Sequence, residues 1–187
     1  RWVPSVAGKG VAIGGPKNDG TAMMVAVRDV GVPLSHMQYI ASYPCGIVVN
    51  GQLVYGHDGF AGELGHVIVR PNNGRLCGCG RTGCLEAYTS ATGVARTARE
   101  FLEVRNDPSS LRQIPIQDIT SKDVYDAAIT GDKLALEIFD YTGKILGEAF
   151  ANFIAFSSPK AIILFGGLAK AGDLILKPIK EAMDRNT

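Results

Sequence analysis

Apolar residues recur at helical spacing over the last third of the chain. Leu136, Phe139, Ile145, Leu146, Phe150, Phe153 and Ile154 predict one long helix from Lys133 to Phe156. A shorter stripe, Val124, Ala127, Ala128 and Ile129, follows Ser121-Lys122-Asp123 and predicts a second helix there. Leu85 onward reads as helical through Leu102, with Ala87, Val94, Ala95 and Ala98 inward. Strand signals are shorter. Val11-Ala12-Ile13 and Met23 to Val27 are apolar runs separated by turn residues from Gly14 to Gly20. Ile47-Val48-Val49, then Asn50-Gly51, then Leu53-Val54-Tyr55 predict a hairpin with a two-residue turn. His66 to Arg70 reads as a further short strand. Ala161 to Phe165 is a continuous apolar run expected to be a buried strand, and Gly166-Gly167 leads from it into a helical stretch, Leu168 to Met183, which Pro178 is expected to kink or divide. Residues 106–121 read as loop. The order of elements indicates an α/β architecture.

Composition changes this picture little. With 187 residues, 46% hydrophobic and 20% charged, the chain can bury a core and has no disorder signature. A net charge of +1 shows neither a basic nucleic-acid footprint nor a polybasic membrane patch. No apolar run reaches the roughly 18 residues that a bilayer crossing needs. The start at Arg1-Trp2-Val3-Pro4 carries no secretory pattern, so a cytoplasmic location is expected.

The cysteines carry the chemistry. Cys77, Cys79 and Cys84 lie within eight positions, as Cys77-Gly78-Cys79-Gly80-Arg81-Thr82-Gly83-Cys84. Thiolates clustered among glycines suit zinc, which takes four soft or borderline ligands in a tetrahedron. Gly78, Gly80 and Gly83 let the backbone curl round an ion, and His66 is the fourth candidate ligand. Such a site is closed and therefore structural. The competing view, three reduced core cysteines and an unrelated histidine, fits poorly with so many glycines. Cys45 stands apart as a small hydrophobe, and His36 and His57 read as ordinary surface histidines.

Gly62-Glu63-Leu64-Gly65-His66 together with Cys77-x-Cys-Gly-x-x-Gly-Cys84-Leu85-Glu86-Ala87-Tyr88 closely resembles the two signatures of the ROK family of sugar kinases and sugar-responsive repressors. The resemblance runs from about Gly46 to the end of the chain. It implies an actin-like (ribonuclease H-like) sugar kinase fold, incomplete here, with residues 1–45 as a poorly matched remnant of a first lobe and 46–187 as the sugar- and zinc-binding lobe. It also implies roles. Glu63 and Glu86 accept from sugar hydroxyls, and His66 gives one ring nitrogen to zinc and the other to the sugar. Pro159 to Gly167 resembles the family's adenosine motif, with Gly166 and Gly167 beside the nucleotide. The implied cofactors are a structural zinc ion, ATP and Mg²⁺. The implied partners are a hexose and ATP, with neither membrane nor nucleic acid, in a homodimer or homotetramer.

Three family features lack a clean counterpart. Gly14-Gly15-Pro16-Lys17 resembles the first phosphate loop with Pro in place of Thr. Alternatively, Asn18-Asp19 is the family's Asn-Asp pair, with Asp19 as general base; the two readings exclude each other, and an ordinary turn aspartate competes with the second. Ala41-Ser42-Tyr43-Pro44-Cys45 stands where a Gly-Thr-Gly loop is expected. The functional expectation is ATP-dependent phosphorylation of a hexose, glucokinase-like. The rivals are a non-catalytic sugar-sensing domain of a transcriptional repressor and a zinc-stapled interaction module.

Overall fold

The computed structural model of the protein describes residues 12–13, 47–49, 52–54, 56–164 and 167–187. Its strands are β1 (Ala12–Ile13), β2 (Ile47–Val49), β3 (Gln52–Val54) and β4 (Ile163–Leu164). Its helices are α1 (Glu86–Thr89), α2 (Ala91–Val104), α3 (Ser121–Ile129), α4 (Lys133–Ser157) and α5 (Asp173–Asn186). The expected hairpin is present as antiparallel β2 and β3, with Val49 opposite Gln52. The type of its turn lies outside the described residues, as do the runs Met23 to Val27 and Gly14 to Gly20.

Local chemistry sets the helix boundaries. Ser90 ends α1 and caps α2, its side chain accepting from the Gly93 amide at 3.1 Å. The stretch read as one helix from Leu85 to Leu102 is therefore two, because an extended Ser90 satisfies the free amides of a new N-terminus. Thr120 and Asp123 form a reciprocal capping box on α3. Asp132 caps α4, accepting from the Ala135 amide at 3.1 Å. Residues 106–121 hold two short 3₁₀ turns, Ser110–Gln113 and Ile116–Asp118, and Leu111 and Ile119 from this stretch are fully buried.

Helix α4 is the spine. Leu134, Ile138, Phe139, Ile145, Leu146, Phe150 and Ile154 are buried with Val94 and Ala98 of α2, Val124 of α3, and Ile175 and Ile179 of α5. The most extensive helix contact is between α4 and α5. It depends on Gly143 and Gly147: a Cβ on Gly143 would lie 2.6 Å from Pro178 Cγ, and one on Gly147 would lie 2.5 Å from the Ile179 carbonyl oxygen. Pro178 sits inside α5 with its ring in the space that Gly143 leaves. The helical stretch is instead divided at Gly172, whose φ of 57° separates a 3₁₀ turn, Leu168–Ala171, from α5.

Two strand expectations change. The stretch read as a strand from His66 to Arg70 begins as a 3₁₀ turn, Leu64–His66, and continues as extended chain with one isolated bridge, Ile68 to Cys84. Its hydrogen bonds go to a loop, which offers too few aligned groups for a ladder. The run from Ala161 yields only Ile163–Leu164, paired in parallel with Ala12–Ile13. Residues 161–164 are half-buried, because β4 has one neighbouring strand among the described residues and lies at the edge of the helical core.

Candidate metal centre and its acidic neighbour

The extended segment after His66 carries the histidine to the cysteines. Leu85 donates to the Val67 carbonyl at 2.9 Å, and Val69 donates to the Gly83 carbonyl at 2.8 Å. Gly83 has φ 81°, and a Cβ on it would lie 1.9 Å from the Arg70 carbonyl oxygen, so only glycine lets the two segments approach. Within the loop, Cys77 donates to the Arg81 carbonyl at 2.8 Å and Gly80 donates back to the Cys77 carbonyl at 3.0 Å. This tight turn places the three sulfurs on one side.

The donor atoms of His66, Cys77, Cys79 and Cys84 all lie within 4.8 Å of one another. His66 Nδ1 is 3.7 Å from Cys77 Sγ, and Cys79 Sγ is 3.6 Å from Cys84 Sγ. A tetrahedral ion with Zn–S of about 2.3 Å and Zn–N of about 2.0 Å sets such pairs roughly 3.5–3.8 Å apart. The four side chains thus have the types and separations of a closed zinc site. Cys77 and Cys84 are buried and Cys79 is exposed.

Electrostatics separate the thiols. A backbone hydrogen bond from Arg81 brings the Cys79 thiol down to about 6, and the Arg81 side chain adds to it. Burial pushes the Cys84 thiol up to about 11, with the neighbouring Cys79 and Cys77 sulfurs adding to the rise. Three thiolates in such proximity require a cation, which is the chemical demand a metal ion meets.

The other edge of the imidazole faces an acid. His66 Nε2 lies 3.4 Å from Glu86 Oε2, and both side chains are about one-third exposed, 29% and 33%. Glu86 opens α1 two residues after Cys84, so the last cysteine of the loop also positions the carboxylate. Glu63 precedes the 3₁₀ turn that carries His66 and is exposed. The structure brings His66, Glu86 and the three cysteines together. Gly167 is exposed, and a Cβ there would meet nothing within 4 Å. Asp19, Gly166, His36 and Cys45 lie outside the described residues. His57 is a surface residue, 97% exposed, with Nδ1 2.7 Å from its neighbour Asp58.

Sequence reasoning missed the support beneath the loop. Arg75 is buried and ties the loop to α1 and α2. Its guanidinium donates to the Ala87 carbonyl at 3.1 Å, to Thr97 Oγ1 at 2.9 Å and to Glu100, and it stacks 4.6 Å over the Tyr88 ring. Its amide donates to the Tyr88 hydroxyl at 2.8 Å. The only sequence trace of this network was Tyr88 at the end of the cysteine motif.

The ROK family profile matches residues 44–186. The chain belongs to the ROK family. It is 44% identical to a glucokinase of Halalkalibacterium halodurans over 137 residues, covering 73% of this chain and 42% of that protein. Among solved structures it is similar to a ROK family glucokinase from Streptomyces griseus in complex with glucose and AMPPNP, with TM-score 0.66 and 31% identity over 75% of this chain and 46% of that one. It is equally similar to a ROK family transcriptional regulator, a homolog of the E. coli MLC protein: TM-score 0.65, 31% identity, 76% of this chain and 35% of the regulator. The chain therefore spans less than half the length of each of these three relatives. The kinase likeness gives it the actin-like ATPase fold. No helix among the described residues is long and apolar enough to cross a membrane.

Proposed function

We propose that this chain forms the sugar-binding and zinc-binding part of an ATP-dependent hexose kinase of the glucokinase type, working in the cytoplasm. The observation that carries the reading is the two-sided placement of His66, with Nδ1 toward the sulfurs and Nε2 toward Glu86. Zinc bound by His66, Cys77, Cys79 and Cys84 supplies structure and fixes the imidazole tautomer. His66 then presents Nε2–H as a rigid donor to a sugar hydroxyl. Glu86, ionised, accepts from an adjacent hydroxyl, and Glu63 accepts from another at the rim. Such a pairing of one donor with flanking acceptors matches the edge of a hexose. Gly167, with open space beside it, suits close approach of a nucleotide to the backbone. Residues 46–187 serve as the zinc- and sugar-binding lobe in this proposal. Phosphoryl transfer itself rests on positioning and on Mg²⁺ electrostatics, with an aspartate as general base.

A repressor-type sugar sensor is the second reading, and the near-equal likeness to the transcriptional regulator favours keeping it. A coupled ADP-release assay with a panel of hexoses separates the two. Hexose-dependent turnover is the expected result. Saturable hexose binding with no ADP release selects the sensor, and absence of both overturns the sugar-site proposal.

A further inference from the structure

We propose that Arg81 is a positioning residue for His66, stapling the cysteine loop to the histidine's main chain and balancing the charge of the metal centre. Its side chain is exposed, yet it is not a free surface charge. One guanidinium nitrogen donates to the His66 carbonyl oxygen at 2.6 Å. The Arg81 carbonyl accepts from the Cys77 amide at 2.8 Å. One residue thus hydrogen-bonds two of the four ligand-bearing residues, His66 and Cys77. Among the described residues, no other side chain hydrogen-bonds the main chain between residues 60 and 67.

The charge count points the same way. A divalent ion with three thiolates and a neutral imidazole carries one net negative charge. That charge lies beside Glu86, which already faces the outer edge of the imidazole. A guanidinium bonded to the His66 carbonyl, in the same loop as the cysteines, offsets it. Arginine suits this place better than lysine, because its planar, permanently charged fork directs an N–H at the carbonyl while keeping a positive charge beside the loop. The carbonyl bond fixes where the His66 backbone sits relative to the loop. The ring is then held from both ends, through Nδ1 toward the sulfurs and through the main chain toward Arg81.

The role in zinc retention stands on the geometry of the tetrad; the role in sugar affinity rests additionally on the kinase reading. The two separate experimentally. Zinc-loaded wild type, Arg81→Ala, Arg81→Gln and Arg81→Lys are compared by competition for Zn²⁺ with a chromophoric chelator, and by hexose KM and kcat. Arg81→Ala is expected to weaken zinc binding about tenfold, the low end for loss of a group that orients metal ligands. Hexose KM should rise with kcat unchanged. Arg81→Lys, which keeps the charge and one donor, should recover most of the zinc affinity, and Arg81→Gln, which keeps a donor without charge, should recover less. Wild-type zinc affinity in both Arg81→Ala and Arg81→Gln overturns the proposal, whatever the sugar results. If zinc binding falls in this order while no variant, wild type included, uses a hexose, the Arg81 role stands and the kinase reading fails.

Discussion

The cysteine loop and the α4–α5 helix pair are both built on glycines where a side chain would collide with backbone, but they are stabilised by different forces. In the loop, Gly83 lets the chain pass the Arg70 carbonyl, and the groups gathered there are thiols, an imidazole and a buried guanidinium. In the helix pair, Gly147 lets α4 approach the Ile179 carbonyl, and the groups gathered are Ile145, Leu146, Ile175 and Ile179. Apolar burial supports the helix pair without help from any ligand. The loop gathers polar groups whose closeness is unfavourable until an ion joins them, so its order should be linked to metal while the helices stay folded without it.

The largest test of that difference is Gly83→Ala. A Cβ 1.9 Å from a carbonyl oxygen, on a residue at φ 81°, cannot be accommodated by a side-chain shift. The substitution is expected to abolish stoichiometric zinc binding, measured by atomic absorption after dialysis. The far-UV helical signal should survive, because α2 to α5 are packed on one another through apolar side chains of their own. Simultaneous collapse of the helical signal would show that the two regions are one cooperative unit.

Gly147→Ala probes the opposite side. Alanine would ordinarily favour a helix by about 1 kcal/mol over glycine. Here its Cβ would sit 2.5 Å from a backbone oxygen and 2.6 Å from Ala182 Cβ, so α5 must move away. Overpacking typically costs about 1–3 kcal/mol, and a clash with backbone rather than with a flexible side chain puts this site toward the upper end, beyond the propensity gain. A lower urea midpoint with unchanged zinc content is expected. Increased stability would mean that α5 shifts at little cost.

Legibility in the sequence followed the same division. The α4 stripe was readable because burial imposes a period, and its boundaries came within a residue of those expected. The clustering of the cysteines was readable because thiolate chemistry needs them close together with glycines between them. Ser90 was missed as a break because one capping serine leaves the apolar period of the flanking helices intact. Arg75 was missed because burial of a guanidinium depends on acceptors from 12 to 25 positions away, Ala87, Gly93, Thr97 and Glu100, and no local pattern encodes them. The strand after His66 was overread, since β-branched residues signal extended chain and say nothing of whether a ladder partner exists.

The smallest expected effect concerns Asp132, which joins the 106–121 segment to α4 through one carboxylate. It accepts from the Ala135 amide, from the Ser110 amide at 2.7 Å and from Ser109 Oγ at 2.8 Å. Burial pushes its pKa up, but these hydrogen bonds outweigh burial and hold it below the usual carboxylate range. A folded-state pKa below the unfolded one means that the unfolded chain binds the proton more readily. The contribution is therefore present above the unfolded value of about 3.9 and is lost as pH falls through the lower folded one. Asp132→Ala should cost about 1 kcal/mol at neutral pH, as loss of a helix cap typically does. Its stability should also fall less steeply than that of wild type as pH drops below about 4. The comparison belongs on metal-free protein, where protonation of the zinc ligands cannot contribute to the slope. Parallel pH profiles for the two proteins would show that the carboxylate caps α4 no better charged than neutral.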